Sequence, residues 1–545
     1  MTIPNPNQAL KKLYVTIPKQ VRIAFICTFA AGLAAHLYQF TNKLFNFDEL
    51  YNTPEGTGEG LGLGRFGLFY VGRFIKHFFG NYSLPLVNGL VSLVLIALAA
   101  CLIVSGLRIQ NTLYAGLIGG LMAVFPSVTC NFFFLFTAPY YSFALMLACL
   151  SAWLILRKRN IVIFLIAVFL LAFSTGIYQA YFAVSAAFLV TWLILQSAES
   201  LASGSSSDKQ EYVPTLRTAL YAFFFLLAGL ICYMVLNKLS LTIFQVQLPD
   251  YQGLSSMGTI DPAFILKRAA ESYAHTLHLF LEDVYSLNPT SVIKLSIALL
   301  FAAAAYVLVK TLLTGLKEHH NGLLIAMYLV FLLVYPISLF LVFLMVTPDT
   351  YVQAAMLNSA VFSIIMPVAV IDRLPLHFRP DISFITNICQ WFAFLGTSAV
   401  ILVYIWYANG NYMALQYADY HDLAYYTVML SQIKDVEGFT DDTPVIVLGQ
   451  NFTDNSFKAG NLVHDTFYLY GTSPTYISAY SSRNLFTKYL GYTPEFLSSD
   501  EDELYFNTHP EVIAMPCYPD QGSIKMVDGV IVVKVEEAAT EEAAD

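Results

Sequence analysis

The sequence predicts an α-helical polytopic membrane protein of about eleven transmembrane helices, followed by a small C-terminal α/β domain. Three observations lead there. Charged residues make up 12% of the 545 positions and hydrophobic residues 57%, which is about half the charge of an ordinary globular chain and excludes a typical soluble enzyme. Apolar runs of about 20 residues recur, each long enough to cross a bilayer as a helix, and mean hydropathy is +0.61. The charge then changes character near Ala408. Beyond it stand 21 acids and 6 bases, against 16 acids and 22 bases before it, within totals of 37 and 28. A basic membrane part (1–407) therefore precedes an acidic soluble part (408–545).

Spans are expected at 21–40, 84–106, 112–129, 139–156, 161–174, 177–195, 218–236, 291–313, 322–346, 351–371 and 383–407. The N-terminal stretch MTIPNPNQALKKLYVTIPKQVR lacks a cleavable pattern, so the first span is read as retained. Residues 196–217 are Ser-rich and read as a flexible linker. No internal repeat is visible, which weakens an inverted-repeat transporter reading. In the tail, a helical stretch to about Asp435 precedes the strand-like PVIVLG (444–449). Further strands are expected near 511–516, 523–527 and 529–535, the last two joined by the turn Asp528-Gly529. The closing EEAATEEAAD reads as a solvated acidic end.

Lys and Arg set the orientation. With the N-terminus cytoplasmic, the inner segments hold fourteen of them and the outer ones eight. An odd span count then makes the C-terminal domain extracytoplasmic, and leaves two long outer loops, 41–83 and 237–290. The seven cysteines are scattered, mostly inside apolar runs, with neither metal spacing nor a disulfide pair evident.

The chemistry is expected in these outer loops. Asp48 and Glu49 follow the first span by about eight residues, where a carboxylate beside the headgroups can take a proton from an acceptor hydroxyl. Glu55 and Glu59, among glycines, read as solvated. The following stretch, GRFGLFYVGRFIKHFF, is amphipathic. On a wheel of 100° per residue, Arg65 and Lys76 fall within about 20° of each other, with Arg73 about 80° round and apolar residues opposite. That is an interfacial helix, with Arg65 or Arg73 suited to gripping a phosphate. A second amphipathic helix carries Lys267, Arg268, Glu271, His275 and His278. Two histidines three apart with Glu271 or Glu282 are conceivable metal ligands, but no third ligand is compelling, so a divalent metal is not indicated. Tyr178 and Gln179 sit at a short outer connection, Tyr251 in a YQG turn, and Asp349 beside Pro348 is a second candidate acid. There is no P-loop, no dinucleotide fingerprint and no nucleic-acid patch. Energy for an outer-face reaction would therefore arrive in an activated lipid.

FDELY with the later GRF, FTAPYYSFALMLACL (136–150), STGIYQAYFAV (174–184), YQGLSSMG (251–258) and NYMALQYADYHDLAYYTVMLSQI (411–433) occur in an order that resembles the GtrII-type glucosyltransferases. These are multi-span enzymes of bacterial O-antigen modification, placed with the GT-C lipid-sugar-dependent transferases. The resemblance implies transfer of a sugar, typically glucose, from a polyprenyl-phosphate donor to an acceptor glycan on the outer face of the cytoplasmic membrane. It also implies a catalytic acid in the first outer loop, at Asp48 with Glu49 beside it. A glycan polymerase or ligase, or a lipid-linked sugar flippase, are the alternatives. Membrane lipid, lipid-linked donor and glycan are the expected partners, and no other cofactor is indicated.

Overall fold

The computed structural model describes residues 5–52, 60–80, 83–157, 159–202, 212–247, 262–283, 285–287, 289–318, 322–345, 352–374, 383–449, 467, 469 and 479–537. Tyr251, Asp349, Glu55, Glu59 and the motif YQGLSSMG lie outside them. By contact density the chain forms two compact units, Met1–Thr41 with Pro54–Asn409, and Asn42–Thr53 with Gly410–Asp545.

In chain order the helices are α1 (Pro6–Thr16), α2 (Lys19–Asn42), α3 (Phe47–Asn52), α4 (Phe66–Phe79), α5 (Pro85–Gly106), α6 (Thr112–Val124), α7 (Pro126–Phe132), α8 (Ala138–Arg157), α9 (Ile161–Ile177) and α10 (Tyr181–Ala202). There follow α11 (Tyr212–Phe244), α12 (Pro262–Leu281), α13 (Ser291–Glu318), α14 (Gly322–Leu339), α15 (Phe362–Arg373) and the 52-residue α16 (Ser383–Lys434).

Among the described residues eight helices are long and apolar enough to cross a membrane, or nine if the pair α6 and α7, bent by 41°, forms one span. This is a helical membrane protein. The bend falls at Phe125–Pro126, where proline opens α7 and cannot continue α6. α9 has 17 residues and falls short of a full span. The expected span 351–371 breaks into short 3₁₀ turns (Ala354–Met356, Asn358–Val361) before the 12-residue α15. Of the expected flexible linker 196–217, residues 196–202 belong to α10 and 212–217 to α11, and the rest lies outside the described residues.

Helix starts follow local chemistry. Asn111 and Asn160 cap α6 and α9 by accepting the backbone N–H two residues on, each at 2.8 Å. Proline opens α5, where its missing N–H costs nothing. α10 is the central helix. Of its apolar window 94% is buried, against 22% for α11, whose Leu220, Phe223, Phe224 and Ile231 are exposed, as lipid-facing residues would be. Around α10 pack α8, α13 and α14, and α8 in turn carries α5 and α9.

In the second unit, strands β1 (Val445–Leu448), β2 (Ile524–Val527) and β3 (Val530–Lys534) form a sheet of order β1-β3-β2, with β1 parallel and β2 antiparallel to β3. Asp528 and Gly529 take positive φ of 49° and 80° in the β2–β3 turn, a conformation open to Asp and Gly. Helices α17 (Ala479–Lys488), α18 (Asp500–Thr508) and α19 (Pro510–Ile513) also belong to this unit. The strand expected at 511–516 is therefore corrected to a short helix. Its cause is local: Pro510 presets φ at the first helical position, and the His509 imidazole accepts the Glu511 N–H.

Candidate active site

Within the first unit, the polar residues gather where α9 gives way to α10. Tyr178 leaves the helix at φ −151°, ψ 113°, so that Tyr178 and Gln179 stand between two helices and not within either. Gln179 Nε2 donates to the Leu63 carbonyl at 2.8 Å, and Tyr233 Oη donates to the Gly64 carbonyl at 3.2 Å. Together they hold the tight turn Leu61–Leu63 that leads into α4. Gly64 takes φ +72° there, and a methyl group on it would stand 2.9 Å from Tyr233 Oη.

Arg65 emerges from this turn as the N-cap of α4, outside the helix itself. The wheel that aligned Arg65 with Lys76 is corrected accordingly. Arg65 Nη1 donates to Tyr141 Oη at 3.1 Å, and the guanidinium lies 5.4 Å over the Tyr178 ring. The Tyr141 and Tyr178 rings stack at 4.5 Å and 19°. Tyr181 meets Tyr178 edge-on at 5.4 Å and accepts from Asn131 Nδ2 at 3.2 Å. An arginine set against two stacked phenols is oriented before any ligand arrives, and its planar donor array matches phosphate oxygens.

The first half of α4 is pressed on α9. A methyl at Gly67 would come within 2.9 Å of the Gly176 and Ile177 backbone, and Gly176 in turn meets the Phe66 ring. The second half stands freer, with Phe74 and Phe78 exposed. Beside it opens an apolar groove of about 930 Å³, lined among others by Tyr70, Phe74, Phe79, Val91, Tyr140 and Phe143. Arg73 is exposed and lies over Phe69 at 4.6 Å and Phe244 at 5.6 Å, while Lys76 is half-buried on the same helix.

Lys267 and Arg268 stand on α12, which packs on α13 and α14. Arg268 pairs with Glu271 at 2.8 Å, and Lys267 is largely exposed. The histidines of α12 have other partners: His278 pairs with Glu282 at 2.7 Å and His275 Nδ1 with Tyr285 Oη at 2.5 Å. Burial holds His275 below the usual imidazole range. Among the described residues no cluster of three or more His, Cys, Asp or Glu is placed to hold a metal.

Asp48 and Glu49 belong to the second unit. They form the first turn of α3, where carboxylates meet the positive end of the helix. Asn46 starts the helix by accepting the Glu49 N–H at 2.9 Å. Glu49 is buried, 4% exposed, whereas Asp48 is half-buried. Of the two, Asp48 has the freer approach to solvent. Burial pushes the nearby Tyr489 phenol up, and the charges of Asp419 and Glu49 add to the effect.

Sequence reading missed Tyr233 and Asn131, which look like ordinary helix residues until the turn before α4 is folded onto them. Tyr141 lies within the motif FTAPYYSFALMLACL, where nothing in the sequence signals that it pairs with Arg65.

The family model described as Glucosyl transferase GtrII matches residues 37–371, more than half of the chain. No curated protein and no solved structure matches it.

Proposed function

From the premise that the chain belongs to the Glucosyl transferase GtrII family, we propose that it moves glucose from a polyprenyl-phosphate donor to a surface glycan on the outer face of the bacterial cytoplasmic membrane. The observation that carries the reading is the pairing of a pre-oriented arginine with an apolar groove on the same short helix. Arg65 is held by Tyr141 and Tyr178 at the start of α4, and the groove runs beside its later residues. A lipid with an anionic head asks for that combination: apolar walls for the chain and cations for the phosphate. Arg73 and Lys76 add positive charge along α4, and Lys267 and Arg268 supply more on α12. Tyr178, Gln179 and, outside the described residues, Tyr251 and Asp349 complete the proposed binding set for donor and acceptor sugars.

The reaction follows from these roles. The acceptor hydroxyl oxygen attacks the anomeric carbon of the donor while its proton passes to Asp48, with Glu49 in support. The bond from the anomeric carbon to the phosphate oxygen breaks, and the polyprenyl phosphate leaves with the electron pair. Arginine cations stabilise the charge that gathers on that phosphate, which is electrostatic work fixed in place before the reaction starts. The energy comes from the activated donor, so neither nucleotide nor nicotinamide is needed.

The test is transfer of radiolabelled glucose from polyprenyl-phosphate glucose in membranes carrying Asp48→Asn or Glu49→Gln. Asp48→Asn is expected to lower turnover by about 10²-fold or more, the scale of a lost general base. Full activity in both variants would sink the assignment. Intact-mass analysis of the surface glycan separates the alternatives: added hexose branches fit the transferase, and a changed chain length fits a polymerase.

A further inference from the structure

Asp48 and Glu49 sit on a six-residue helix, too short to hold its own shape in water. Its surroundings within the second unit explain how it is held. Phe45 and Leu50, flanking the acids, are buried with Tyr425, Tyr426, Met429 and Leu485 in one apolar core. The Phe45 ring lies 4.8 Å from that of Tyr489. Hydrophobic contact fixes the depth of the segment but not its rotation or register. Polar contacts at each end contribute to these.

At the start, the Phe45 N–H donates to Asp419 Oδ2 at 3.1 Å, and Asp419 on α16 is only 5% exposed. At the finish, Lys488 Nζ, from the last turn of α17, donates to the Leu50 carbonyl at 3.2 Å and the Tyr51 carbonyl at 3.1 Å. These are carbonyls of the last turn of α3, the end of a helix that favours a cation. Asp419 and Lys488 both stand beyond the residues 37–371 matched by the family model.

We propose that Asp419 and Lys488 form a two-ended clamp through which the C-terminal unit positions the acid-bearing helix for transfer. They are positioning residues, since they act through the backbone of 45–51 and not on substrate. The catalytic half of this inference rests on the reading of Asp48 and Glu49 as the working acids.

The experiment uses the full-length protein in nanodiscs, with hydrogen exchange and transfer kinetics measured on the same samples. In Asp419→Ala and in Lys488→Met, amides of residues 45–52 are expected to exchange about tenfold faster, the scale of a lost hydrogen bond. Protection of β3 in the same sample, retained, shows that the unit is still folded. Turnover falls by about tenfold with the donor KM unchanged. Asp419→Asn, whose amide oxygen can still accept the Phe45 N–H, restores both protection and turnover. Wild-type exchange at 45–52 in both Asp419→Ala and Lys488→Met overturns the clamp. Lost protection with full transfer activity leaves the clamp standing and removes the acids from the mechanism.

Discussion

Arg65 and Arg73 looked alike as cations on one amphipathic stretch, yet their surroundings differ. Arg65 is bonded to Tyr141 and lies over Tyr178, whereas Arg73 is exposed above Phe69 and Phe244. Replacing Arg65 with Ala is expected to lower kcat by on the order of 10²-fold, as loss of an oriented charge-stabilising donor does. Arg65→Lys should recover little of it, because an ammonium has no planar donor fork. Arg73→Ala is expected to cost less than about tenfold, since a solvated charge is screened. Steady-state transfer rates check the order, and equal losses at the two positions would refute it. Gly64 belongs to the same scale. Its left-handed φ and the nearby Tyr233 hydroxyl make Gly64→Ala strained, by about 1–3 kcal/mol.

At the level of elements, α4 is where sequence and structure agree in kind and differ in detail. The amphipathic stretch is a helix, but its first half is clasped against α9 through glycine and its second half borders the groove. Gly67→Val should therefore push α4 from α9 and cost about 1–3 kcal/mol of stability, the usual scale of overpacking. Thermal unfolding in detergent would register the loss, and transfer activity should fall with it. An unchanged midpoint would mean that the close approach is not needed. The elements that sequence reading misjudged are the short ones. The 3₁₀ turns before α15 and the helix α19 each rest on breaks and caps, which hydropathy averaged over a window does not see.

Across the whole molecule, an ion pair between a buried arginine and a half-buried glutamate joins parts of the first unit that are far apart in sequence. Arg373, 3% exposed, grips Glu199 of α10 through Nε at 2.7 Å and donates from Nη1 to the Leu107 carbonyl at 2.9 Å. Arg373→Met alone should destabilise by about 1–3 kcal/mol, because it removes the partner of Glu199 and of the Leu107 carbonyl, and adding Glu199→Leu should recover part of the loss. Denaturation of the single and double variants decides it, and additive losses would count against the pair. Sidedness belongs at this scale too. A cysteine replacing exposed Ser498 is expected to react with an impermeant maleimide in intact cells, and one replacing exposed Lys12 only after lysis. The reverse pattern would overturn the proposed orientation.

The helical membrane character and the family were legible in the chain alone, because hydropathy, charge balance and the order of motifs are local quantities that need no fold. So was the amphipathic nature of α4 and α12, and the Asp528-Gly529 turn. Folding alone decided that Gln179 and Tyr233 hold the turn before Arg65, that Tyr141 faces its guanidinium, and that Asp419 and Lys488 clasp the helix bearing Asp48. Each of those contacts joins residues at least 76 positions apart. A hydrogen bond depends on distances of about 3 Å, and no periodicity or composition carries that information across such a separation.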